Sequence, residues 1–237
     1  MSEVGLPHSS EEAGESRGSN QRFPKRSTRS TGGYESVEHE LKGIKYQSRT
    51  YAKLKTLMNR VNEESIKEEH RKQQQRKAVG IDGVSKAEYG EKFDENVADL
   101  IDRMKKFSYK PLPVRMAYIP KIGSDKLRPL GIPAYEDRLL QSAMAGVLNE
   151  ICEERFLDCS YGFRPRRNAH QVLREINQTI MTRKVNYVLE ADIKGFFDDV
   201  DHDWLMKFLE NDIADKNFLR YVKRFLIAGV VNTCQSI

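Results

Sequence analysis

The sequence predicts an α+β fold that is mostly helical and carries one β-hairpin. Three observations predict it. Phe93, Val97, Leu100, Ile101 and Met104 recur at the helical period. Val114-Arg-Met-Ala-Tyr-Ile-Pro120 and Leu127-Arg-Pro-Leu-Gly-Ile132 read as two strands about a turn at Gly123-Ser124-Asp125. Helices then flank one further strand instead of alternating with strands, which argues against a doubly wound sheet. With 237 residues, of which 38% are hydrophobic, the chain can bury a core in one or two domains.

Residues 1–40 are rich in Ser, Gly, Glu and Arg, with Phe23 and Tyr34 the only aromatics. Such a segment buries too little apolar surface to offset its ordering entropy, so it is predicted to be a disordered tail. Residues 41–84 form a basic helical extension. Within it Leu54, Leu57, Met58 and Val61 fall at i, i+3, i+4 and i+7, which predicts an amphipathic helix. The stretch 63–77 is almost entirely polar and is expected to continue as a solvent-facing helix. Gly80-Ile81-Asp82-Gly83 punctuates the chain, and Ser85 with Glu88 has capping-box spacing.

A second segment, 85–183, holds the 93–104 helix and the hairpin, then two more helices. One spans 137–151, with Leu140, Met144, Val147 and Ile151 on one face; the other spans about 169–182, with Val172, Leu173, Ile176 and Ile180. The last segment, 184–237, opens on Val185 to Ile193, an apolar run that reads as a strand buried on both faces. Helices follow at about 203–211 and 216–228.

Charge narrows the function. The net charge of +5 is concentrated in residues 41–78, where 11 basic residues face four acidic ones, while the chain from 79 onward is balanced. A local positive field suits a polyanion, although a solvated helix surface would carry the same residues. Cys152, Cys159 and Cys234 form neither a CxxC pair nor an even disulfide set, which argues for a reducing interior and against a structural zinc. The N-terminus lacks a basic stretch followed by an apolar run, and no stretch approaches the ~18 apolar residues of a membrane span.

Chemistry concentrates in a few places. Asp192, in Glu190-Ala-Asp-Ile-Lys-Gly-Phe-Phe197, sits at the predicted strand end before a Lys-Gly bend and two aromatics. It reads either as a metal-ligand carboxylate or as a strand-end residue capping a turn. Asp199, Asp201, Asp203 and Glu210 have calcium-loop spacing, but Trp204 occupies the position that needs glycine, so Asp201 and Asp203 read as helix-start residues. Lys121 and Arg128 flank the hairpin turn and could grip one polyphosphate, or simply be solvated. Ser160-Tyr-Gly-Phe-Arg-Pro165 with Arg166 and Arg167 interleaves aromatics and arginines. That pattern suits single-stranded or hybrid nucleic acid, and a tight turn with buried aromatics explains it almost as well.

In this order, Lys110 through Lys121, Leu127 through Arg138, Phe156 through Pro165, and Asp192 through Phe197 resemble the fingers and early palm of group II intron-encoded reverse transcriptases/maturases. Asp201-His-Asp-Trp-Leu-Met206 and Ala228-Gly-Val230 fit the same pattern, so the likeness covers about residues 75–230. It implies right-hand polymerase-type fingers at 85–183 and an incomplete palm at 184–237. It also implies an RNA-directed DNA polymerase with an intron-splicing role.

The resemblance carries roles residue by residue. Asp192 is the implied catalytic carboxylate and Mg²⁺ ligand, assisted by the backbone carbonyl of Ile193. Phe197 is the implied gate beneath the incoming sugar. Lys121 and Arg128 would hold the triphosphate, and Tyr161, Gly162, Phe163 and Arg164 would line the template and nucleotide pocket. RNA contacts are expected at Lys53, Lys55, Arg60, Arg166 and Arg167. The implied partners are intron RNA, an RNA template with a DNA primer, and deoxynucleoside triphosphates. The expected compartment is a bacterial cytoplasm or an organellar matrix, with no secretion and no membrane.

In-line attack on phosphorus aided by two Mg²⁺ ions needs more than one carboxylate. The family's Tyr-x-Asp-Asp and Gly-Thr-Pro-Gln-Gly-Gly segments do not occur in this sequence. This polypeptide alone is therefore expected not to polymerise DNA. Two other readings stand beside the polymerase: a non-catalytic intron-RNA-binding module, and the product of a degenerate intron frame. An unpaired palm edge is expected to invite self-association.

Overall fold

The computed structural model describes residues 41, 44, 53–121, 123 and 125–231. The predicted tail at 1–40 lies outside the described residues, as does most of 41–52. Among the described residues there are seven α-helices: α1 Glu63–Lys72, α2 Lys86–Glu91, α3 Phe93–Lys105, α4 Tyr135–Cys152, α5 Ala169–Thr182, α6 His202–Asp212 and α7 Lys216–Leu226. Three strands, β1 Val114–Pro120, β2 Leu127–Ile132 and β3 Val230–Val231, form one sheet in the order β2-β1-β3. This is a mixed helix-and-sheet architecture, as the sequence predicts.

The hairpin pairs antiparallel from Arg115↔Ile132 to Pro120↔Leu127, and β3 joins β1 in parallel at Val114↔Val230. Side chains at the helical period of α3, α4 and α7 fill the core: Val97, Leu100 and Met104, then Leu139, Leu140 and Val147, then Phe218 and Tyr221. Ser85 and Glu88 close the expected capping box on α2.

Three local readings are corrected. Leu54, Leu57 and Val61 are buried as predicted, but only Leu57–Arg60 is helical, as a 3-10 turn. Leu54 instead spends its N–H on the Asp212 carbonyl at 2.8 Å and accepts from the Ala214 N–H at 2.7 Å, and Thr56 turns the chain at φ 62°. The polar stretch from Glu63 is not a solvent-facing helix to 77. It starts at a capping box between Asn62 and Ser65, ends at Lys72, and buries Ile66 fully against α4.

Val185 to Ile193 is the third. It is not a strand: no described segment pairs with it, and Tyr187, Val188 and Leu189 are 93%, 80% and 92% exposed. Apolar, β-favouring residues make a strand only where a neighbour supplies ladder hydrogen bonds and a face to bury, and the described residues supply neither here.

A histidine makes the packing of α1 sensitive to pH. His70 Nδ1 lies 2.8 Å from the Tyr135 hydroxyl, and its ring is 4.3 Å from that of Phe93. Burial, reinforced by the nearby Lys86 ammonium, lowers its pKa below the ordinary 6.5. The unfolded chain therefore takes up this proton first as pH falls. The stability this group contributes is complete above the ordinary value and is lost on descending through the folded one. Thermal melts from pH 8 to 5 should show the midpoint falling below about pH 6.5, and His70→Gln should remove that part of the fall.

Candidate active site and nucleic-acid face

The hairpin is held at its base. The Arg115 guanidinium donates twice to the Val79 carbonyl, at 3.1 and 2.7 Å, and Arg138 donates to the Ala78 carbonyl at 2.9 Å. Gly80 lies so close to the start of α4 that a Cβ there would stand 2.5 Å from the Ala134 Cα. At the other end the Lys121 N–H donates to the Lys126 carbonyl at 2.9 Å, and Arg128 pairs across from Ile119. Lys121 and Arg128 are both exposed, without an ion-pair partner among the described residues. Two exposed cations thus lie near one end of the hairpin.

A carboxylate that sequence reasoning left without a role anchors this base. Asp137, 3% exposed, accepts the Tyr109 hydroxyl on one oxygen and the Leu112 N–H, at 2.9 Å, on the other. Burial pushes Asp137 above the usual carboxylate range despite those two donors, and burial with the facing carboxylate drives the Tyr109 phenol far up. Beside it Glu136 receives Arg103 at 2.8 Å on both oxygens. The available signal was the charged triplet Glu136-Asp137-Arg138 opening a helix whose inner face is apolar, where each charge needs a partner.

Asp192 lies in the extended segment before a tight turn. Gly195, at φ 65°, accepts the N–H groups of Asp198 and Asp199 at 2.9 and 3.0 Å, so the Lys-Gly bend forms as expected. The bend places Asp192, Ile193, Gly195 and Phe197 on one shallow concavity. The Phe196 and Phe197 rings meet edge-on at 5.3 Å, with Phe197 79% exposed. The Asp192 carboxylate is exposed and makes no hydrogen bond or ion pair with any described residue. Asp201, by contrast, caps α6, accepting the N–H groups of Asp203 and Trp204 at 2.9 and 3.0 Å.

The aromatic and arginine loop splits into inward and outward members. Arg164 holds the loop together: it pairs with both oxygens of Glu153, at 3.0 and 3.1 Å, and donates to the carbonyls of Leu157 and Ser160, each at 2.8 Å. Its side chain is 6% exposed, and its guanidinium lies 5.1 Å from the centre of the Phe156 ring. Tyr161 bonds to Glu175, and Arg167 covers the Tyr161 ring at 5.1 Å while reaching Asp158 at 3.3 Å. Gly162 and Arg166 are exposed, and Phe163 stands out at 98% exposure with φ 56°. Further along the surface Lys53 donates to the Glu210 carbonyl at 2.8 Å, Lys55 is exposed, and Arg60 ends the 3-10 turn.

Comparison with known proteins identifies relatives of this segment. Residues 119–236 match the model of the reverse transcriptase (RNA-dependent DNA polymerase) family. Over 142 residues the chain is 38% identical to the group II intron-encoded protein LtrA of Lactococcus lactis subsp. cremoris, covering 60% of this chain and 23% of that protein. Residues 119–236 are a reverse transcriptase segment similar to those of group II intron-encoded proteins.

Two further relatives bracket that family. Protein YkfC of Escherichia coli K12 is 36% identical over 156 residues, 65% of this chain and 41% of that protein. The mitochondrial nuclear intron maturase 1 of Arabidopsis thaliana is 31% identical over 96 residues, 40% of this chain and 13% of that protein. The chain thus spans less than half the length of the curated relatives it matches. The reverse transcriptase segment begins in β1 and takes in Lys121, Arg128, Tyr161 to Arg164, Asp192, Ile193 and Phe197. Lys53, Lys55 and Arg60 lie ahead of it. No helix among the described residues is long and apolar enough to cross a membrane.

Proposed function

We propose that this chain contributes the fingers (85–183) and the first part of the palm (184–237) of an RNA-directed DNA polymerase that also assists splicing of its intron RNA. The observation that carries this is the turn at Asp192. An unpaired, exposed Asp192, Ile193 and an exposed Phe197 line one concavity, inside the segment that matches the reverse transcriptase family.

Each group has a task in that reading. Lys121 and Arg128 at the hairpin tip bind the triphosphate of a deoxynucleotide, Arg128 in bidentate fashion. Phe197 closes the floor beneath the sugar and excludes a 2′-hydroxyl. Phe163 offers a ring to a template base or nucleotide, while Arg164 positions that loop through Glu153 instead of reaching substrate. The compartment is a bacterial cytoplasm or an organellar matrix. The exposed apolar run Tyr187, Val188 and Leu189 is suited to self-association.

Mg²⁺ supplies charge stabilisation at the attacking and leaving oxygens when bound. Asp192 and Asp198 are the carboxylates that line this concavity, and the described residues contain no cluster of three acidic, His or Cys ligands, fewer than a pair of hard cations needs. The remaining carboxylates belong to the family's Tyr-x-Asp-Asp segment. The test is RNA-templated primer extension by a polypeptide that continues this chain through such a segment. Magnesium-dependent DNA synthesis supports the reading, and its absence from a folded product defeats it.

A second reading, an RNA-binding module without catalysis, is favoured by the positive excess in residues 41–78. Phosphate contacts make affinity fall steeply with salt. Replacing Lys53, Lys55 and Arg60 together by Gln should flatten the plot of log Kd against log salt by about 2, at roughly 0.7 per single-strand contact. An unchanged slope removes this surface from the RNA interface.

A further inference from the structure

The C-terminal end of α3 contains a conformational anomaly. The chain leaves the helix through Phe107, whose N–H bonds the Met104 carbonyl at 3.0 Å while Ser108 returns to the Arg103 carbonyl at 2.9 Å. This left-handed position, here at φ 55°, favours glycine, and a bulky side chain in it costs about 1 kcal/mol or more. Phe107 occupies it while 40% exposed, so burial does not explain the residue.

Helix α7 builds a surface around that ring. Its Arg224 donates to the Phe107 carbonyl at 2.9 Å and to the Tyr109 carbonyl, and Tyr221 donates to the Met104 carbonyl at 2.7 Å, so the anomaly is held in place. Arg220 lies 4.2 Å from the centre of the Phe107 ring. Lys216, Arg220 and Lys223 fall at i, i+4 and i+7, one exposed stripe opposite the buried Phe218 and Tyr221. Neither these three nor Lys105 has an ion-pair partner among the described residues.

Beside the ring runs a cleft of about 620 Å³ floored by Val61, Ile101 and Met104, with Asn59 and Asn217 on its edges. Glu63 and Glu64 also line it at the start of α1, where the helix dipole favours them, while Lys216, Arg220 and Lys223 lie along α7.

A π-face beside an apolar cleft, bordered by unpaired cations, fits an unpaired base and its phosphates. We propose that this α3–α7 surface is a binding site for single-stranded RNA, separate from the Asp192 concavity. Phe107 stacks on one base, and Lys105, Lys216, Arg220 and Lys223 take the adjoining phosphates. The proposed function above enters only in choosing RNA as the polyanion. A duplex offers no splayed base to the ring, and an acidic peptide would use the cations without it.

The whole chain is titrated into a fluorescein-labelled oligouridylate and read by anisotropy, without Mg²⁺ or nucleotide. Phe107→Gly should weaken binding about tenfold with an unchanged or higher melting temperature, because glycine relieves the left-handed backbone. Phe107→Tyr should keep the affinity. Lys216→Gln with Lys223→Gln should lower the salt slope by about 1.4. Equal affinity in wild type and Phe107→Gly overturns the site, as does absence of binding by the wild-type chain. A fall in both single-strand and duplex affinity with the lysine changes alone leaves only an unspecific anion surface and also overturns it. Asp192→Ala should bind like wild type, so failure of the polymerase reading is seen separately.

Discussion

Asp192→Ala is expected to reduce primer extension by a hundredfold or more, in a polypeptide that carries the full set of metal carboxylates. Losing one ligand from a metal that stabilises charge in the transition state removes several kcal/mol, and about 1.4 kcal/mol is a factor of ten in rate. The fold should not notice. The side chain is exposed and bonds to no described residue, so the melting temperature and RNA affinity should match those of wild type. A variant that loses activity and stability together would instead make Asp192 a structural residue of the turn.

The largest stability effect is expected from Asp137→Ala. Truncation strands two buried donors, the Tyr109 hydroxyl and the Leu112 N–H, and each such orphan costs roughly 1–3 kcal/mol. Part of that is returned because the burial that raises the carboxyl's pKa no longer acts. A net loss of about 2–4 kcal/mol should lower the melting midpoint by roughly 5–15 °C. Asp137→Asn keeps one acceptor and should lose less. The sign with pH follows from the raised value. The cost of ionising Asp137 is absent below the ordinary carboxylate range, appears as pH rises through the folded value, and vanishes in the asparagine variant.

Much of the scaffold was legible because its signals are local. The apolar periods of α3 and α4, the alternation about the 123–125 turn and the Ser85 capping box each specify their element without a distant partner. What failed depended on partners far along the chain. Leu54 to Val61 has a helical period and is buried as that period implies, yet Leu54 bridges to Ile213 and only one 3-10 turn remains. Ile66 alone among polar neighbours gave no sign that α1 would pack on α4. Val185 to Ile193 has strand composition, but a strand is a pairwise object, and composition cannot say whether a partner is present.

The site divides the same way. The Asp192 bend and the exposed cations of the hairpin tip were readable, since glycine and turn chemistry announce themselves. Arg164 read as a substrate contact because a guanidinium in an aromatic loop looks the same in sequence whether it faces a ligand or Glu153. Asp137 and Phe107 were missed for a related reason: a buried carboxylate and a left-handed phenylalanine become visible only once the backbone is placed.

The central claim is that these residues form a folded fingers scaffold carrying one carboxylate of a two-ion site. The most direct test is magnesium-dependent primer extension on an RNA template by the purified 237-residue chain. The account predicts a folded protein and no DNA product. Extension above background that disappears in Asp192→Ala would contradict it, because other residues of this chain would then have to complete the metal site.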